Sequence, residues 1–324
     1  MSKKINYLNG IGIILLAIIL WKIDFKQVFK YLKDANYWYL LLAYPFILMN
    51  IFLKAVRWNF LMKTQGVRNS IFESFYVYLW AFYFGAVTPG RIGEISKALY
   101  YQEKFDNFGS SLSPVVVDRL YDVGIRIAMI FILYPFYSNL FHFKYVDVII
   151  LLSCIIAGIV VLAKYKSIQN IIITFSKFLV PKKYYATIEN NISGFINDII
   201  KMVTTVKYLA ICIVITIPSF LCYCMVGYFI LKSFGINMTF TYNIFCLAVS
   251  SFSVAVPISV SGLGVREAVM IFLFNSIGLG RESAVLFSLS IFALSPILGF
   301  HGWLVNLIML IRNHIKKRMK VKVN

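Results

Sequence analysis

Runs of apolar residues too long for a soluble core constrain this chain more than any other feature. Ile5–Trp21, Trp38–Leu53, Val146–Ala163, Tyr208–Leu231, Met238–Ser261 and Ser283–Ile311 each hold at most one Asp, Glu, Lys or Arg. A helix needs about 20 apolar residues to cross the roughly 30 Å hydrocarbon core of a bilayer, and these runs approach or exceed that length. With 60% hydrophobic and 14% charged residues in a chain of 324, a globule has too little polar surface to cover itself, whereas lipid accepts apolar faces. Lipid offers no partner to exposed backbone N–H and C=O groups, so helices are the reading that satisfies every run. The expected fold class is all-α, a polytopic transmembrane helical bundle.

The net charge is +19, from 32 Lys and Arg against 13 Asp and Glu. These basic residues stand at the ends of apolar runs, where they fix orientation and meet anionic headgroups. No nucleic-acid-binding pattern accompanies them, so nucleic acid is set aside as a partner. The first run follows Lys3 and Lys4 without a small-residue cleavage site and reads as a retained helix. Phe25, Val28, Phe29 and Leu32 share a helical face while Lys22, Lys26, Lys30 and Lys33 lie elsewhere, the pattern of an interfacial helix. The basic segment 164–207 keeps apolar residues at helical spacing and reads as a membrane-surface helix. That segment and the acid-free tail (Arg312 to Lys322) put both termini of a multi-pass cell-membrane protein in the cytoplasm. Arg57-Trp58 reads as a headgroup-boundary anchor closing the second span. Cys154, Cys212, Cys222, Cys224 and Cys246 all lie in apolar runs without metal spacing and read as small core- or lipid-facing residues. His142, His301 and His314 are scattered and read as boundary or packing residues. Neither a metal nor a cofactor is expected.

A repeated constellation organises the chain, read as one domain over 1–324. In one half (about 37–138) a span and the short apolar segment 72–87 run into Thr88-Pro89-Gly90-Arg91-Ile92-Gly93-Glu94, followed by a short helix and a span. In the other (about 207–311) a span and the segment 242–256 run into Pro257, then Ser261-Gly262-Leu263-Gly264-Val265-Arg266-Glu267, a short helix and a span. The halves come out oppositely oriented. Pro/Gly-interrupted segments at matching places in two inverted halves point to a substrate site. Pro89 and Pro257 stop the preceding helix, while Gly90, Gly93, Gly262 and Gly264 allow positive φ and close backbone approach. A helix broken at depth presents a positive N-terminus to an anion. Arg91 and Arg266 are permanently charged forks for phosphate oxygens, which Glu94 and Glu267 orient unless they pair with a cationic headgroup. Read as structure alone, both stretches are headgroup-boundary loops. Asp118, Arg119, Asp122 and Arg126, at spacings of three and four in a span of about 113–137, form either an ion-pair ladder or a second headgroup contact.

These elements in this order (Arg57-Trp58, Thr88 to Glu94, Asp118-Arg119-Leu120-Tyr121-Asp122, and Pro257 with Gly262 to Glu267) resemble the lysylphosphatidylglycerol synthase transmembrane, or flippase-like, family over nearly the whole chain. Ser261 stands where the family pattern suggests a first Gly. Bifunctional members carry a soluble aminoacyltransferase domain after the membrane part, whereas this sequence ends soon after its last span. The resemblance therefore implies the translocating part alone, not an enzyme. It implies a lipid flippase that binds an anionic phospholipid or polyprenyl-phosphate-linked headgroup between the halves, with a separate synthase or glycosyltransferase as partner. Arg91, Glu94, Arg119, Asp118, Asp122, Arg266 and Glu267 are its candidate headgroup residues. Two other readings stay open: a membrane enzyme that uses Asp118 and Asp122 to hold a divalent metal, and an accessory subunit docking through 164–207.

Overall fold

The computed structural model describes residues 14–88, 92–140, 185–255 and 262–323, and among these the regular structure is helical throughout. Residues 14–21 form α1, followed by α2 (Phe25–Lys33), α3 (Tyr37–Thr64) and α4 (Ile71–Val87). A 3-10 turn, Ile92–Ile95, leads into the short α5 (Ser96–Tyr101), then α6 (Phe108–Tyr137). The second part holds α7 (Tyr185–Thr204), α8 (Val206–Ser233), α9 (Phe240–Ala255), α10 (Val265–Asn275) and α11 (Arg281–Val323). The predicted span 146–163, and with it Cys154 and His142, lies outside the described residues.

Side-chain caps set the helix starts. Asn36 accepts the Trp38 N–H at the start of α3, Ser70 the Glu73 N–H at α4, and Asn107 the Ser110 N–H at α6. Each satisfies a donor that has no partner within its helix. By length and composition, Tyr37–Thr64, Val206–Ser233 and Arg281–Leu304 are able to cross a membrane. The surface is turned inside out relative to a water-soluble protein. Trp38, Phe72, Phe136 and Val206 are each at least 75% exposed, whereas Arg57, Lys97, Asp118 and Glu267 are fully buried. Lipid is the solvent that such a surface fits, and the chain is a membrane-embedded, multi-pass α-helical protein.

Helices α3 and α8 form the central pair and run antiparallel. Asn36 bonds Ser233 at one end, Asn50 bonds Ser219 midway, and Arg57 bonds Thr216 before Phe60 meets Tyr208. The remaining packing comes in matched sets. Where α3 packs on α4, α8 packs on α9; where α4 packs on α5, α9 packs on α10; and α5 meets α6 as α10 meets α11. Across the molecule α4 packs on α11, as α9 packs on α6. Gly299 and Gly302 let α11 approach Tyr83 and Leu79 of α4 closely.

Two peripheral elements refine the sequence reading. In α2, Val28 and Leu32 pack inward while Phe25 and Phe29 stay exposed, an arrangement suited to the membrane interface. The described part of the basic segment is α7, separated from α8 by Thr205 alone and packed along α6. Its Met202 is fully buried with Leu61, Val117 and Cys212, so this helix belongs to the bundle as well as to its surface. Gly109 seats it: the Gly109 N–H donates to Asn191 Oδ1 at 3.0 Å, and a methyl there would overlap the Asn191 carbonyl. Gly109→Ala is expected to destabilise the protein by about 1–3 kcal/mol, as overpacking does; a thermal unfolding midpoint in detergent equal to the parent's would refute this close fit.

Candidate functional site

The interior polar residues converge on two carboxylates in the middle of α6. Asp118 Oδ1 accepts Arg57 Nε at 2.9 Å, and its Oδ2 accepts Lys97 Nζ at 2.9 Å and the Tyr78 hydroxyl at 2.8 Å. Asp122 Oδ1 accepts Arg57 Nη2 at 2.7 Å, and its Oδ2 pairs with Lys54. Arg57 also donates to the Thr216 hydroxyl at 2.8 Å and to the Asp118 carbonyl at 3.0 Å. Lys97 Nζ lies 4.1 Å from the Tyr78 ring centroid and 4.7 Å from that of Trp58, so aromatic faces supplement its carboxylates. Buried charges persist only when paired and hydrogen-bonded, and this network meets both conditions.

Two sequence expectations are corrected here. Arg57 and Trp58 are not a boundary anchor, because both are fully buried. Helix α3 continues past Leu53 to Thr64, carrying Lys54 and Arg57 into the bundle instead of ending at the first charge. Nor do Asp118, Arg119, Asp122 and Arg126 form a ladder along one helix. The carboxylates take their charged partners from α3 and α5, Arg119 pairs with Glu94, and Arg126 reaches the Asp122 backbone carbonyl at 2.8 Å. Because α6 starts at Phe108, these charges fall in its interior and not in its first turns. Lys54 and Lys97 escaped the sequence reading.

The interruption in the first half is tight. Helix α4 ends where the Thr88 hydroxyl donates to the Phe84 carbonyl at 2.7 Å and accepts the Gly93 N–H at 2.8 Å. A methyl at Gly93 would overlap the Phe84 carbonyl, and one at Gly85 would lie 2.8 Å from Glu94 Cγ. The two glycines therefore let Glu94 fold back beside α4, where it pairs with Arg119 and lies 3.8 Å from Lys97 Nζ. Pro89, Gly90 and Arg91 lie outside the described residues, as do Pro257 and Ser261.

The second half uses another device. Gly262 and Gly264 have φ of 78° and 86°, conformations that a side chain disfavours. The Gly264 N–H donates to Glu267 Oε2 at 2.6 Å, the reach-back bond that starts a helix. Glu267 Oε1 accepts Arg266 Nη2 at 2.7 Å and the Ser288 hydroxyl at 2.7 Å, and Arg266 Nε donates to Ser288 Oγ at 2.8 Å. Glu267 thus orients Arg266, as the sequence suggests.

Residues that follow each interruption line one cavity of about 450 Å³. Lys54, Glu94, Arg119, Asp122 and Arg126 line it from the first half, and Arg266 from the second. Thr216, Ser219 and Ser251 add hydroxyls from α8 and α9. Its size lies within the range of small-ligand sites, roughly 300–1,000 Å³, sufficient for a headgroup and too small for two acyl chains as well. Among the described residues no group of three His, Cys, Asp or Glu side chains is placed to hold a metal, and Asp118 and Asp122 are both already engaged by cations. Cys212, Cys224 and Cys246 are buried free thiols, and His301 is a packing residue whose ring bonds the Tyr44 hydroxyl at 2.8 Å and the Ile297 carbonyl at 2.7 Å.

Fold and cavity define a class, helical membrane proteins with an ionic chamber between two sets of helices. The chain belongs to the family described as the lysylphosphatidylglycerol synthase TM region, whose model matches residues 9–300. It is similar to a UPF0104 membrane protein of Pyrococcus horikoshii, 23% identical over 296 residues that cover 85% of this chain and 88% of the relative. A UPF0104 membrane protein of Methanocaldococcus jannaschii is 26% identical over 327 aligned residues, covering 93% of this chain and 95% of the relative.

Asp118→Asn is expected to lower stability by about 3–5 kcal/mol, because Arg57 and Lys97 would each lose a buried counter-charge. Chemical unfolding in detergent micelles reads the change, and a midpoint shared with the parent would show that the pairing does not hold the bundle.

Proposed function

We propose that the protein translocates a polar-headed anionic lipid, with the headgroup passing through the cavity between two inverted halves while the acyl chains stay in the bilayer. The single observation that carries this reading is that residues of both halves line one charged cavity. A chamber able to be opened from either side by movement of one half against the other is what alternating access requires. The antiparallel α3–α8 pair and the recurrence of the same packing partners around it support the inversion. Charged groups at membrane depth are expensive, and they are retained where a substrate or ion passes.

In this reading Arg266, held by Glu267 and Ser288, is the contact from one half. Arg119, held by Glu94, is the contact from the other, and Arg91 stays a further candidate. Asp118 and Asp122 hold the cationic wall and do not touch the headgroup. The protein acts as a transporter in the cell membrane with both termini cytoplasmic, and a separate synthase or glycosyltransferase supplies or consumes its lipid. Movement is passive or coupled to an ion gradient.

The test uses purified protein in liposomes containing lipids fluorescently labelled on the headgroup side, with an impermeant quencher reporting arrival in the outer leaflet. Arg91→Ala and Arg266→Lys, the latter keeping a cation beside the buried Glu267 but losing the planar fork, are each expected to slow translocation at least tenfold while the protein elutes like the parent. Undiminished transport in both variants would sink the assignment.

A further inference from the structure

The ionic groups around the cavity do not balance. Lys54, Arg57, Lys97, Arg119, Arg126 and Arg266 face Glu94, Asp118, Asp122 and Glu267, six cations against four carboxylates among the described residues. The excess has a location. Lys54, Arg57, Lys97, Arg119 and Arg266 each lie within ion-pair distance of a carboxylate. Arg126 instead donates Nη1 to a neutral backbone carbonyl at 2.8 Å, and its buried Nε has no hydrogen-bond partner among the described residues. It therefore lines the cavity as a guanidinium with donors to spare.

The hydroxyls nearby do not compete for the same ligand atoms. Thr216, Ser219 and Ser251 each donate their proton to a backbone carbonyl, at 2.6, 3.3 and 2.8 Å respectively. Thr216 and Ser219 also accept, from Arg57 Nη1 at 2.8 Å and Asn50 Nδ2 at 3.1 Å, so what these hydroxyls have left for a ligand is a lone pair and not a proton. Uncompensated charge inside a bundle of this kind is costly. The group that removes two excess positive charges is a dianion, and the groups that suit the hydroxyl lone pairs are donors such as ligand hydroxyls.

We propose that the cavity selects a phosphate monoester carrying two negative charges over a phosphodiester carrying one, with Arg126 as the residue that reads the second charge. This rests on the cavity being the headgroup site, but it concerns binding and not movement. A phosphate monoester carries its second charge only above a pKa of about 6, whereas a diester keeps one charge throughout. The preference is therefore present at pH 8 and fades toward pH 5.

The experiment measures binding by the purified full chain in neutral nanodiscs, so that transport plays no part. Three probes are compared: phosphatidic acid as the monoester lipid, phosphatidylglycerol as the diester lipid, and inorganic phosphate without a lipid tail. Phosphatidic acid is expected to bind at least tenfold more tightly than phosphatidylglycerol at pH 8, and within about threefold of it at pH 5. Arg126→Gln is expected to bring the monoester down to the diester's affinity and leave the diester nearly unchanged, with Arg126→Lys restoring part of the gap. Equal affinities for the two lipids in the parent protein at pH 8 would overturn the proposal without requiring any variant to fold. A preference that Arg126→Gln leaves intact would overturn the role of that residue. Inorganic phosphate binding as tightly as phosphatidic acid would support the dianion site and assign it to free phosphate instead of a lipid. A protein that shows the preference yet moves no lipid would uphold this inference while defeating the transport reading.

Discussion

Placing ions inside a bundle whose outside is lipid is the constraint from which the rest follows. Arg57 must find anions in the interior, and it finds Asp118 and Asp122 on another helix and Thr216 on a third. That one side chain ties α3 to α6 and α8. Lys97 brings the short α5 to the same carboxylate, with Tyr78 donating to it from α4. The arrangement is poorly replaceable piece by piece, because removing either sign leaves the other buried and unpaired. The aromatic faces of Trp58 and Tyr78 around Lys97 extend the compensation without adding charge.

A chain that interrupts a helix within the bundle must also satisfy freed backbone groups, and the two halves do so differently. The first uses a hydroxyl, with Thr88 capping α4 and receiving the Gly93 N–H in one motion. The second uses a carboxylate, with Glu267 reaching back to the Gly264 N–H while it holds Arg266. In both cases an acidic residue at the turn fixes an arginine bordering the cavity, Glu94 holding Arg119 and Glu267 holding Arg266. In the second half the same carboxylate also repairs the backbone.

Much of this was legible in the residues. Uncharged runs specify helices in lipid, and the first Pro/Gly interruption follows directly on the end of α4 at Val87. Glu267 beside Arg266 is a pair of chain neighbours, so its orienting role is readable. The pairing of Arg57 was not, since Asp118 lies 61 residues away along the chain and nothing local announces it. A basic residue followed by Trp after an apolar run looks the same whether the helix stops at the headgroups or continues inside. The register held a clue: Lys54 and Arg57 are three apart, Asp118 and Asp122 four apart, so each pair shares one helical face. Two cations on one face and two carboxylates on another are complementary, once both helices are allowed to pass through the interior. Lys97 left no comparable trace, because its helix is too short to show a period.

The division of ionic groups between the two sets of helices has an electrical consequence. Among the described residues all of the excess positive charge around the cavity belongs to the set that contains α3 and α6, whereas Arg266 and Glu267 in the other set cancel. A double negative charge crossing the full membrane potential alone exchanges about 4.6 kcal/mol with the field per 100 mV. If it travels beside the cationic wall, the same charge is screened by its escort and the voltage does almost no work. Under the proposed translocation, voltage therefore acts on the first set when it moves empty, with its two excess positive charges; loaded with the dianion it moves nearly neutral, and the second set itself carries no net charge.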